Sequence, residues 1–167
     1  MKTETNLLSK EKISNTQRIA VSGVVIALYA VLMYFTQGFA FGQYQIRIAT
    51  ALYALNGAMP FLIVPLGIAN MLSNTLMGGM GIYDIGGGFL VGVVTGAAVY
   101  LIKKLKLNDW FAAAPLVLGP GLIVPIWLSK ILNIPYSALA ISLCIGQIVP
   151  AILGVIILKQ VKNRSMF

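Results

Sequence analysis

The sequence predicts an all-α integral membrane protein, a bundle of six transmembrane helices with both termini in the cytoplasm. Three observations carry this. The 167 residues are 59% hydrophobic and 10% charged, with a mean hydropathy of +0.90. That is more apolar surface than one water-soluble core of this size can hide. The apolar residues fall in helix-length stretches divided by short polar or glycine-rich breaks. The cations are sorted: with six spans and inside termini, Lys2, Lys10, Lys12, Arg18, Lys103, Lys104, Lys106, Lys159, Lys162 and Arg164 lie inside and only Arg47 and Lys130 outside, as the positive-inside rule requires.

Residues 1–18 read as a polar cytoplasmic arm, too charged to open a cleaved signal peptide. The membrane domain runs over residues 19–158. Its first span, Ile19 to Phe35, carries Ala20, Gly23, Ala27 and Ala30 at spacings of three and four, a narrow face suited to close helix packing, within the bundle or against a partner. Thr36 to Ile46 is a loop, and a short second helix covers Arg47 to Leu55. Asn56 and Gly57 break it, and Pro60 suits the first turn of a third helix, Met59 to Met77. On that helix Asn70 and Asn74 are one turn apart and share a face. Gly78 to Gly88 is expected as a glycine-rich turn holding Asp84. It lacks the lysine and the strand-turn-helix context of a phosphate loop. A fourth span, Ile85 to Ile102, ends at the Lys103–Lys106 run. A fifth, Phe111 to Leu128, should be bent by Pro115, Pro120 and Pro125. A sixth runs from Tyr136 to Leu158, and residues 159–167 form a basic cytoplasmic tail.

Several function classes are excluded or weakened. The net charge of +8 sits at segment ends rather than in a stripe with interleaved aromatics, so nucleic acid is not an expected partner. Cys144 is the one cysteine and cannot make an internal disulfide. There is no histidine and there are four acids, which leaves no metal site, no cofactor and no catalytic residue to propose. The chain reads as a non-enzyme.

The most informative stretch is Phe41 to Leu52, FGQYQIRIATAL. Arg47 is the only charge between Arg18 and Asp84. An arginine at the bilayer centre costs about 2.5–3.5 kcal/mol on insertion scales, so it should face water, protein or a ligand. Gln45 and Arg47 alternate in an extended segment, and Arg47, Thr50 and Ala51 share an α-helical face. The predicted topology gathers Gln45, Arg47, Asp84 and Lys130 on the external side, like the mouth of a binding site. Asp84, the only acid there, is a candidate to accept N–H groups of a ligand, with Arg47 and Gln45 available to a carbonyl. The alternative is an Asp84–Arg47 ion pair that closes the loops.

Beyond these patterns, the chain resembles the QueT family, the queuosine-precursor substrate-binding subunits of energy-coupling-factor transporters. IALYAVLMY is similar to that family's opening helix, FGQYQIRIATAL to its Gln-x-Arg signature, IANML and YDIGGG to its asparagine and glycine-aspartate region, and IGQIVPAILGVIILK to its last helix. The resemblance implies substrate-binding positions at Gln45, Arg47, Asn70 and Asp84, and at Thr50 and Gln147, where the family commonly carries glutamates. Those two departures remove negative charge. They leave the cargo open between the usual cationic deazapurine, a related neutral compound and another vitamin. The resemblance also implies a cell-membrane protein that partners a membrane scaffold subunit and two ATPase subunits, with scaffold docking sought at Ala20, Gly23, Ala27 and Ala30. A competing reading is a membrane scaffold protein without ligand.

Overall fold

The computed structural model describes residues 13–163, in which every regular element is helical. Helix α1, Asn15–Ala40, opens on a capping box. The Ser14 side chain accepts from the Gln17 N–H at 3.2 Å, and the Gln17 amide oxygen accepts from the Ser14 N–H at 2.8 Å. The helix therefore begins inside the expected polar arm. The arm's Lys2, Lys10 and Lys12 lie outside the described residues. Val25, Tyr29 and Met33, four apart, form the core face of α1. Ala20, Gly23 and Ala27 are exposed and Ala30 is half-buried, and a Cβ on Gly23 would meet no atom within 4 Å. The small-residue face thus points away from the bundle.

The expected second helix exists as a 3₁₀ helix, Ile48–Gly57, buried along almost its whole length. At about 2.0 Å per residue it reaches about 20 Å, where ten α-helical residues would reach about 15 Å and the bilayer core is about 30 Å. Among the described residues four stretches are long and apolar enough to cross a membrane: Asn15–Ala40, Pro60–Met77, Ile82–Lys104 and Asp109–Leu132. Tyr136–Val161 makes a fifth if its bent pair of helices counts as one span. Six elements follow one another as expected, but the second is not of spanning length.

Helix α2, Ile63–Met77, is entered through a 3₁₀ turn at Pro60–Leu62, and α3 covers Ile82–Lys104. The expected glycine turn over 78–88 is shorter than the sequence suggests. Only its first part turns, with Gly78 and Gly81 at φ 132° and 85°, while Asp84 to Gly88 lie in the first turns of α3. Helical glycines are tolerated because α2 and α3 press together: a Cβ on Gly92 would lie 2.8 Å from the Gly67 Cα.

The proline-rich fifth segment is two helices, α4 (Ala113–Ile123) and α5 (Pro125–Leu132), divided at Val124. Pro125 has no N–H to donate, and its ring crowds the preceding turn. The last expected span is also two helices, α6 (Tyr136–Gly146) and α7 (Ile148–Asn163), with a 41° bend at Gln147. Pro150 explains it, because it cannot bond the Gly146 carbonyl. Helix α7 runs on into the expected tail, whose Arg164 lies outside the described residues.

Side-chain contacts sort the turns into two ends. At one, the Arg18 guanidinium lies 5.8 Å from the Phe61 ring centroid, Lys103 pairs with Asp109, Lys159 stands 4.4 Å over the Trp110 ring, and Gly57 packs on Lys103 and Leu158. At the other, the end of α1, the loop to Arg47, the end of α2, the start of α3 and α5 come together.

Candidate functional site

At this second end the loop after α1 folds back on its own helix. The Ile46 N–H donates to the Phe39 carbonyl at 3.0 Å, and Gln45 takes a left-handed φ of 43°. The loop rests against the α6–α7 bend. A Cβ on Gly146 would overlap the Tyr44 carbonyl oxygen, so only glycine allows this approach. The Gln147 Nε2 donates to the Gln45 carbonyl at 2.8 Å, and the Ser142 hydroxyl to the Gln43 carbonyl at 2.9 Å.

Arg47 leads this loop into the 3₁₀ helix and is 6% exposed. Its Nε donates to the Ala40 carbonyl at 3.3 Å, and its Nη1 to the Asn70 and Asn74 side-chain oxygens, each at 3.0 Å. The guanidinium also sits 4.8 Å from the Phe41 ring centroid. The charge is therefore solvated by carbonyl dipoles and a π face rather than by a carboxylate. Each asparagine works at both ends. The Asn70 Nδ2 donates to the Gly88 carbonyl and the Asn74 Nδ2 to the Asp84 main-chain carbonyl, both at 2.8 Å, which fixes the oxygen ends on Arg47.

Asp84 is buried, and its carboxylate is bonded to partners other than Arg47. It accepts from the Met80 N–H at 3.1 Å and from the Trp127 indole N–H at 3.0 Å. The expected alternative, an ion pair with Arg47, is not formed, and Asp84 is not among the residues that line the cavity beside Arg47. Each charge has its own set of neutral partners, and Asn74 ties the Arg47 guanidinium to the main chain of Asp84 rather than to its carboxylate.

That cavity is lined by Gln45, Arg47, Thr50, Tyr53, Asn70, Val91, Pro120, Val124 and Gln147, with a volume of about 10 Å³, scarcely one water molecule. Five of the six residues expected at a substrate site thus meet in one place, drawn from the loop, the 3₁₀ helix, α2 and the α6–α7 bend; Asp84 is the sixth. A wider, open cleft of about 430 Å³ lies among Tyr83, Ile126, Trp127, Lys130 and Ile131.

Sequence reasoning missed Asn74 as a ligand of Arg47, Trp127 as the partner of Asp84, and Tyr53. Tyr53 stacks on Tyr29 with centroids 5.9 Å apart and hydroxyls 3.4 Å apart. A signal for Tyr53 existed. Arg47, Thr50, Tyr53 and Asn56 recur every three residues, and a 3₁₀ helix eclipses that period, whereas the α-helical reading paired Thr50 with Ala51.

Among the described residues no group of three or more His, Cys, Asp or Glu side chains is placed to hold a metal. The model of a family described as QueT transporter matches residues 19–163. No curated protein and no solved structure matches the chain.

Proposed function

The chain belongs to the QueT transporter family, a membrane transport family rather than an enzyme family, and from that premise we propose that it is the substrate-binding subunit of an energy-coupling-factor importer for a queuosine precursor of the deazapurine class. The observation that carries the reading is the buried Arg47. A membrane protein keeps a guanidinium in its interior for a reason, and this one faces a single cavity shared with Gln45, Thr50, Asn70 and Gln147. The cavity is too small for a bicyclic base, against the 300–1,000 Å³ of ordinary ligand sites. Loading therefore requires lining segments to part, such as the loop carrying Gln45 from the end of α4 at Pro120 and Val124.

In this proposal both termini are cytoplasmic and the chain runs six times between the two ends of the bundle; the second run is the short, buried 3₁₀ helix, which passes from Arg47 to Gly57 beside Lys103 inside the protein rather than as a full-length lipid-facing span. The gathering of Arg18, Lys103 and Lys159 at the end opposite Arg47 supports that sense. The ligand enters from outside at the Arg47 end. The exposed face of Ala20, Gly23 and Ala27 docks the membrane scaffold subunit, and two cytoplasmic ATPases supply the energy while this chain hydrolyses nothing. Gly23→Leu with Ala27→Leu should spare ligand binding and lower transport.

A thermal-shift series on detergent-solubilised protein tests the reading. A deazaguanine at a hundred times its dissociation constant should stabilise the fold by about 2.7 kcal/mol. Stabilisation by a different vitamin alone would keep the transport role and replace the cargo, as the uncharged Thr50 and Gln147 would favour. No stabilisation by any of them would leave a ligand-free scaffold protein.

A further inference from the structure

The orientation of one amide gives the Arg47 cavity a polarity. Gln147 is 1% exposed and lines the cavity. Its Nε2 is committed to the Gln45 carbonyl at 2.8 Å, and its Oε1 has no partner among the described residues. The amide cannot turn over to relieve this, because Oε1 would then face the Gln45 carbonyl oxygen. A buried acceptor left unmade is costly, and such groups in native folds mark a missing partner. The cavity is thus lined by a residue with an unused acceptor, Gln147, and by the cationic Arg47. Among the described residues its one charged lining residue is the cation Arg47 and no carboxylate lines it, and the Asp84 carboxylate accepts from Met80 and Trp127.

Resting on the reading that this cavity is the substrate site, we propose that the chain selects an uncharged heterocycle with a carbonyl and an N–H on one edge. The carbonyl oxygen accepts from Arg47 and the N–H donates to the Gln147 Oε1. The same heterocycle bearing a protonated aminoalkyl arm is disfavoured. The cause is electrostatic: a second positive charge buried near Arg47 has no lining carboxylate to offset it, and repulsion between like charges grows as water is excluded. Gln147 is then a specificity-determining residue, reading a proton that a carbonyl-only ligand lacks.

The test is competition binding to the full-length protein in detergent, using a deazaguanine that carries a nitrile at C7 and its C7-aminomethyl counterpart. The neutral compound should bind at least tenfold more tightly, and Gln147→Glu should erase or invert that preference. Equal or tighter binding of the aminomethyl compound by the unaltered protein would overturn the charge selectivity while leaving the site reading intact. Binding of neither compound would overturn both. Gln147→Leu separates the role of the acceptor from folding. It should weaken the neutral deazaguanine at least tenfold and barely change an analogue methylated at the ring nitrogen beside the carbonyl. Equal losses for both ligands would remove Gln147 from recognition.

Discussion

Asn70 and Asn74 on α2 and Asn56 in the 3₁₀ helix are all buried amides in a lipid-like bundle, yet they stand in opposite conditions. Each α2 asparagine is used at both ends, its oxygen on Arg47 and its nitrogen on a main-chain carbonyl of α3. Asn56, toward the cation-rich end, is 0% exposed and packs on Gly96, and neither its Nδ2 nor its Oδ1 has a partner among the described residues. The difference teaches that an amide in a membrane helix takes its energetic meaning from its partners. One that solvates a buried charge is indispensable, and one that bonds nothing is a burden a hydrophobe of the same shape would relieve.

Substitution by leucine, similar in shape to asparagine, breaks or sharpens this contrast most directly. Asn74→Leu takes an acceptor from a buried guanidinium and removes the second hydrogen bond of the Asp84 main-chain carbonyl, which keeps its place in the α3 ladder. The expected loss is about 3 kcal/mol, the upper part of the range for an unsatisfied buried group because the stranded donor is charged, read by reversible unfolding in mixed micelles. A loss no larger than that of a surface substitution would mean that the cluster does not hold the charge. Gly146→Ala should cost about 1–3 kcal/mol as an overpacking change, since its methyl group displaces the loop that carries Gln45. Protease sensitivity of residues 41–46 should rise with it, and an unchanged loop would contradict the close approach at Tyr44. Asn56→Leu has the smallest expected effect, between neutral and about 1 kcal/mol stabilising. A large loss there would mean that Asn56 has a partner, and the contrast with α2 would collapse.

Much of this arrangement was legible in the sequence. Arg47 stands alone between Arg18 and Asp84, so its burial demanded partners. The turn spacing of Asn70 and Asn74 put two acceptors on one face, and the structure spends both on Arg47. The fate of Asp84 was not legible, because nothing local to it marks Trp127, forty-three residues away, as its partner. The bend at Gln147 was missed for another reason. The stretch 136–158 is apolar enough on average to read as one span, and its local signs of a break, Gly146–Gln147 and Pro150, are too few to outweigh that. The shift from α to 3₁₀ geometry over Ile48–Gly57 was likewise hidden. Small residues such as Ala49, Ala51 and Ala54 suit either helix, and only tertiary packing selects the tighter one.

The central claim is that Arg47 faces a ligand rather than serving only as a tie between loop and helices. Equilibrium binding of a neutral deazaguanine to Arg47→Gln, on protein whose thermal unfolding temperature is measured alongside, tests this most directly, because glutamine keeps a hydrogen-bond donor but removes the charge. We predict at least a hundredfold loss of affinity, with a folded protein still present. Retention of affinity within threefold would contradict the account and reduce Arg47 to a structural residue.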